Sequence, residues 1–76
     1  MAMYKVGQTV RYKPVGGPGS HTSESTGIIK SVLTEPGRQA ERNVQASEER
    51  PRYEIENSNT GKVTSVYEDN ILEEVS

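Results

Sequence analysis

The sequence predicts an all-β fold, a small barrel of about five antiparallel strands with long loops at 14–25 and 35–50. Three observations carry that prediction. Short runs of alternating apolar and polar residues recur between clusters of Gly, Pro, Asn and Ser, which is the pattern of strands and turns. The last third, from Tyr53 to Leu72, reads as strand, tight turn, strand, short helical turn, strand. The chain of 76 residues has room for one small domain, spanning 1–76.

The elements follow in order. Gly7 permits a bend before the first strand, in which Val10 and Tyr12 alternate with Thr9, Arg11 and Lys13. Pro14 to Ser25 holds three Gly, two Pro and a run of hydroxyl residues, which suits neither a helix nor a central strand. Thr26 to Thr34 is the second strand. Its apolar residues fall on both parities, Ile28 and Val32 against Ile29 and Leu33, as when a bulge or strong bend swaps the faces. Pro36-Gly37 signals a type II turn, with positive φ expected at the glycine.

From Arg38 to Arg50 only Ala40, Val44 and Ala46 are apolar. A structureless loop of that length is unusual in a compact domain. The segment reads as a functional excursion or as a strand pair protruding beyond the barrel. A short helix over 38–46 would have too thin an apolar face to dock firmly. Pro51 leads the third strand, with Tyr53 and Ile55 inward and Arg52, Glu54 and Glu56 outward. Ser58-Asn59-Thr60-Gly61 turns the chain into a fourth strand, Lys62 to Tyr67. A single 3₁₀ turn over Glu68-Asp69-Asn70 precedes the closing strand from Ile71. Ser65-x-x-Glu68 matches a helix capping box, but no amphipathic helix follows it. This order of elements is that of an SH3-like barrel.

Composition narrows the functions open to such a chain. Apolar residues make up 30%, with no Phe or Trp, so Val, Ile, Leu and four Tyr must form the core. A core that small leaves stability marginal unless a partner adds buried area. Without cysteine there is neither a disulfide framework nor a thiolate metal site. No signal peptide, membrane span or Asn-x-Ser/Thr sequon is present, so a soluble intracellular location, cytoplasmic or nuclear, is expected. Net charge is −2 but unevenly spread, with +3 over residues 1–30, −1 over 31–50 and −4 over 51–76. First and last strands of a barrel are often neighbours, so the favoured reading is charge complementarity within the fold.

The opening Tyr4-Lys5-Val6-Gly7-Gln8-Thr9-Val10-Arg11-Tyr12, the step Thr26-Gly27-x-Ile29 and the stretch Ala46-Ser47-Glu48-Glu49 resemble the hypervirulence-associated proteins with a Tudor-like domain. Pro51-Arg52-Tyr53-Glu54-Ile55 and Thr60-Gly61-Lys62 continue the match, which runs from Tyr4 to Leu72. The resemblance implies a Tudor-like, SH3-type barrel and brings no established molecular activity with it. One departure stands out: Tyr12-Lys13-Pro14 occupies the place after the first strand where many relatives have Trp.

Tudor-like domains that read methylated lysine or arginine hold the cation in an aromatic cage with a nearby carboxylate. Tyr12, Tyr53 and Tyr67, with Glu68 and Asp69, are the candidate ligand-binding residues here. The competing and weightier reading is that these rings fill a core that lacks Phe and Trp. Arg11, Lys13, Lys30 and Arg52 are the candidates for binding nucleic acid, although a pI near 5.3 is far from the basic footprint of a dedicated binder. His21, in Ser20-His21-Thr22-Ser23-Glu24, has triad residue types without a rigid frame, so no catalytic site is expected. One His and no Cys give no metal-ligand spacing, and neither metal nor cofactor is expected. The Gly16-Gly17-Pro18-Gly19 run lacks the Lys-Ser/Thr of a phosphate loop.

The resulting expectation is a non-catalytic binding or adaptor module. Its ligand would be a protein segment, received around the 14–25 and 56–62 loops. Weak nucleic-acid binding is the alternative. Pairing into a homodimer through an open strand edge is a third reading.

Overall fold

The computed structural model describes residues 3–14 and 23–75. In chain order the strands are β1 (Thr9–Tyr12), β2 (Ser25–Leu33), β3 (Gly37–Gln39), β4 (Arg42–Val44), β5 (Arg52–Asn57), β6 (Val63–Tyr67) and β7 (Ile71–Glu74). A 3₁₀ turn over Glu68–Asn70 joins β6 to β7, as expected. Five strands form an antiparallel sheet in the order β6-β5-β2-β1-β7, and β3 pairs with β4 in a small second sheet. The all-β expectation holds. The main sheet curls without closing, because its outermost strands β6 and β7 are not paired with each other.

Register assigns the faces, since directly opposed residues of an antiparallel pair point to the same side. Tyr53 opposes Val66 and Ile55 opposes Ile29, so these residues share the inner face. With Val10, Tyr12 and Ile71 they form the buried core, and Tyr4 and Val32 pack against it. The bulge expected in β2 is present. Ile29 opposes Ile55 and Ser31 opposes Glu54, leaving Lys30 as the extra residue. That shift turns Val32 inward beside Tyr53, although Ile29 and Val32 differ in parity. A second irregularity lies between β1 and β7, where Arg11 opposes Glu73 and Tyr12 opposes Ile71.

Gly27 sits where three elements crowd together. A Cβ there would lie 2.5 Å from the Glu56 carbonyl oxygen, 2.6 Å from Ile55 Cγ2 and 3.0 Å from the Tyr12 ring. The glycine is required by close approach of β5 and the Tyr12 ring, not by its φ angle.

The 35–50 region forms a β-hairpin, the strand pair that was one of its two expected readings, and no helix over 38–46. It departs from expectation in that the hairpin folds back instead of protruding. Gln39, only 1% exposed, is buried against residues of β2, β5 and β6. Ser31, Arg52 and Ser65 all occupy the outer-face register of the main sheet, so the hairpin lies on the outside of the β2-β5-β6 half. Gly37 does not adopt the positive φ that a type II turn requires. Its lack of a side chain makes room for Leu33, whose methyl carbons would come within 3.0 and 3.1 Å of a Cβ. Positive φ falls instead on Ala40 (50°) and Glu41 (62°), the two central residues of the β3–β4 turn. That is the type I′ geometry of a two-residue hairpin, made here without Asn or Gly.

Candidate functional site

The turn between β5 and β6 builds a concave surface at one end of the sheet. Asn57 Oδ1 accepts the backbone N–H groups of Asn59 (2.7 Å) and Thr60 (3.0 Å), the Asx-turn pattern. Gly61, at φ 77°, donates its N–H to the Asn57 carbonyl, and Asn57 N–H donates to the carbonyl of Lys62. Ser58 N–H donates to the Thr26 carbonyl at 2.9 Å, tying the turn to the start of β2. The resulting groove, of about 470 Å³, is lined by Glu24, Ser25 and Thr26 on one side and Asn57 to Thr60 on the other. A second concavity of about 350 Å³ shares Asn57 and Thr60 and adds Tyr12, Pro14 and Val63. Tyr12 and Asn57 both line this second concavity, so the core ring borders the turn. Burial pushes the Tyr12 phenol above its ordinary pKa, and the Asn57 side chain opposes that shift.

The five residues singled out as a cage do not gather around one opening. Tyr12 and Tyr53 are 1% and 0% exposed and belong to the core. The Tyr53 hydroxyl donates to Glu68 Oε2 at 2.6 Å and accepts the N–H groups of Met3 (3.1 Å) and Tyr4 (3.4 Å). Met3 N–H also reaches Glu68 Oε2 at 3.0 Å, so this junction pins the segment before β1. The Tyr4 ring meets the Tyr53 ring edge-on, with centroids 5.7 Å apart. Burial first, then the bond to Glu68, drives the Tyr53 phenol far above its ordinary value, so it stays neutral and donates. Tyr67 is half-buried, with the guanidinium carbons of Arg50 and Arg52 at 4.1 and 4.4 Å from its ring centroid. Asp69 is largely exposed and faces Arg50 at 3.9 Å.

The four cations named for nucleic acid are dispersed. Arg11 pairs with Glu24 (3.1 Å) and with Glu73 on β7, and Lys30 pairs with Glu56 at 3.4 Å. Acids in the last third thus answer bases in the first, as the charge distribution led us to expect. Lys13 is buried, and its N–H donates to the Asn70 carbonyl at 2.9 Å. Arg52 donates through Nε to Ser65 Oγ (2.9 Å) and through a terminal nitrogen to the Ser65 carbonyl (3.0 Å).

Two groups escaped the sequence reading. Gln39 Nε2 donates to Ser31 Oγ (3.0 Å) and reaches the Arg52 carbonyl (3.3 Å), while Gln39 Oε1 accepts the Ser65 hydroxyl (2.7 Å). A lone Gln in a polar run carries no sequence signal of burial. The stacking of Arg52 on Tyr67 was accessible from the cross-strand register of β5 and β6, whereas that of Arg50 was not. His21, Ser20, Thr22 and the Gly16–Gly19 run lie outside the described residues, as does most of the 14–25 loop. Among the described residues no group of three or more His, Cys, Asp or Glu could hold a metal ion. Among them, too, no helix is long and apolar enough to cross a membrane.

Comparison with known proteins matches residues 7–71 to the family model for the TUDOR domain of hypervirulence associated proteins. A protein of Schizosaccharomyces pombe (strain 972 / ATCC 24843), provisionally named primary metabolism protein prl65, is 42% identical over 71 residues. That alignment covers 93% of this chain and 92% of the yeast protein. No solved structure matches the chain.

Proposed function

Because the chain belongs to the family of hypervirulence associated proteins with a TUDOR domain, we propose that it is a non-catalytic binding module whose ligand is a segment of another protein. The observation that supports this reading is the pair of adjoining concavities sharing Asn57 and Thr60. One is lined by hydroxyl, amide and carboxylate groups, which suit the hydrogen-bonding backbone of an extended peptide. The other offers Tyr12, Pro14 and Val63 to an apolar side chain. Both walls rest on hydrogen-bonded backbone, so the surface is largely formed before a ligand arrives. The ion pairs of Arg11 and Lys30 weigh against nucleic acid as the principal ligand, since phosphate would have to displace carboxylates already in place.

A photo-crosslinking residue placed at Asn59, with a control at exposed Lys5, tests the reading in cells of the source organism. Discrete protein adducts are expected from Asn59 and not from Lys5, and a Thr60→Arg change should suppress them. Identical adducts from both positions, or adducts to nucleic acid alone, would overturn the proposal.

A further inference from the structure

We propose that a second site, at the opposite end of the β5–β6 hairpin, binds an acidic side chain of a partner peptide through the arginines around Tyr67. The acidic group would be a carboxylate or a phosphorylated serine or threonine, which present the same anionic oxygens.

Two shallow grooves meet at this end, of about 260 and 270 Å³, and share Gln45 and Tyr67. Ser47 and Arg50 line one, Arg42 and Arg52 the other, so together they form a trough with three arginines along it. Stacking of Arg50 and Arg52 on the Tyr67 ring fixes the guanidinium planes while leaving N–H edges available in the trough. Arg52 has two of its nitrogens engaged by Ser65. Arg50 adds to its stacking only a long ion pair with Asp69 (3.9 Å), and both side chains are mostly exposed.

The charge balance here differs from that around Arg11 and Lys30. Arg11 and Lys30 each face a carboxylate on the sheet. Of the three arginines in the trough, Arg50 alone has a carboxylate within ion-pair reach among the described residues. Glu48 and Glu49, exposed on the same loop, do not line the trough. Arg42 and Arg52 therefore bring together, in one groove of a chain of net charge −2, two guanidinium groups without a carboxylate partner among the described residues. Neutral donors stand beside it. Ser47 Oγ accepts the Arg50 N–H at 3.0 Å, which leaves its own O–H to donate, and Gln45 contributes an amide.

The same details favour a peptide over RNA. The two grooves have a single aromatic ring between them, Tyr67, and so no row of rings on which successive bases could stack. That ring already carries guanidinium groups and so is a poor platform for a base.

The test is an NMR titration of the full chain, following backbone amides and arginine Nε–Hε signals. The probes are the pentapeptide acetyl-Ala-Ala-phosphoSer-Ala-Ala-amide, its Glu and Gln counterparts, inorganic phosphate, and a hexauridylate RNA. Saturable shifts at Arg42, Ser47 and Arg50 are expected with the phosphoserine or Glu peptide and not with the Gln peptide. Whichever acidic peptide saturates identifies the source of the anion. Arg50→Gln should weaken that binding about fivefold, and Asp69→Asn, which removes the competing carboxylate, should tighten it about twofold. Both positions are exposed, and the amide spectrum of each variant reports directly that it is folded. Equal response to the Gln peptide, shifts spread evenly over Arg11 and Lys30, or affinity indifferent to Arg50→Gln would overturn the proposal. Tighter binding of the RNA at the same residues, or response to inorganic phosphate alone, would also overturn it.

Discussion

The inner and outer faces of the β5–β6 hairpin join their neighbours by opposite means. On the inner face, Tyr53, Ile55 and Val66 contact other core residues, and cohesion comes from apolar burial. On the outer face, the β3–β4 hairpin is attached through Gln39, Ser65, Ser31 and Arg52, a hydrogen-bonded junction with Gln39 and Ser65 buried. Apolar contact tolerates small shifts, because dispersion and hydration are non-directional. The polar junction is directional, and a missing partner strands buried donors and acceptors. Among the described residues every buried side-chain nitrogen and oxygen has a partner, so the outer junction is complete. A chain with few apolar residues thus adds a second layer in which Val44 is the buried apolar side chain and hydrogen bonds do much of the joining.

The largest expected effect tests the inner face. Tyr53→Ala removes the fully buried ring and its bonds to Glu68, Met3 and Tyr4. We expect a loss of about 3–5 kcal/mol, enough to unfold so small a domain, measurable by urea denaturation with circular dichroism. A loss under about 1 kcal/mol would mean that the inner core does not carry the fold.

The next effect tests the outer face. Gln39→Leu keeps the size and adds apolar surface, but leaves the Ser65 hydroxyl and the Arg52 carbonyl without their partner. A destabilisation of about 2–3 kcal/mol is expected, with hydrogen exchange rising first in 37–44. A neutral or stabilising result would show that the hairpin adheres by apolar contact after all.

The smallest effect sharpens the comparison at the hairpin tip. Ala40 and Glu41 both hold left-handed backbone, which Asn and Gly adopt at lower cost. The double change Ala40→Asn, Glu41→Gly retains the Ala40 N–H bond to Glu54 Oε2 because a backbone group makes it. It should raise stability by about 1 kcal/mol in the same denaturation assay. Loss of stability would mean that the two side chains contribute more than their backbone strain costs.

Some of this was legible in the residues alone. Alternation located β1 and β5, the Ser58–Gly61 turn led into β6, and mixed parity in Thr26–Thr34 pointed to the bulge or bend of β2. The Ser58–Gly61 turn and the 3₁₀ turn after Tyr67 were equally readable, since local backbone preference decides them. The candidate site was only half legible. Sequence pointed to the 56–62 turn but grouped Tyr12, Tyr53 and Tyr67 by residue type, whereas the structure buries Tyr12 in the core, bonds Tyr53 to Glu68 and stacks Tyr67 with two arginines.

By itself, then, the sequence determined what depends on neighbours along the chain: strand period, turn positions, the absence of thiol chemistry and the charge gradient from first half to last. Tertiary structure alone decided what depends on distant pairs. It decided that Gly27 must lack a side chain, that Gln39 is buried, and that Arg50 and Arg52 share the Tyr67 ring. The physical reason is that close approach, buried hydrogen bonds and cation–π stacking require partners from separate elements. Propensity and periodicity describe one element at a time.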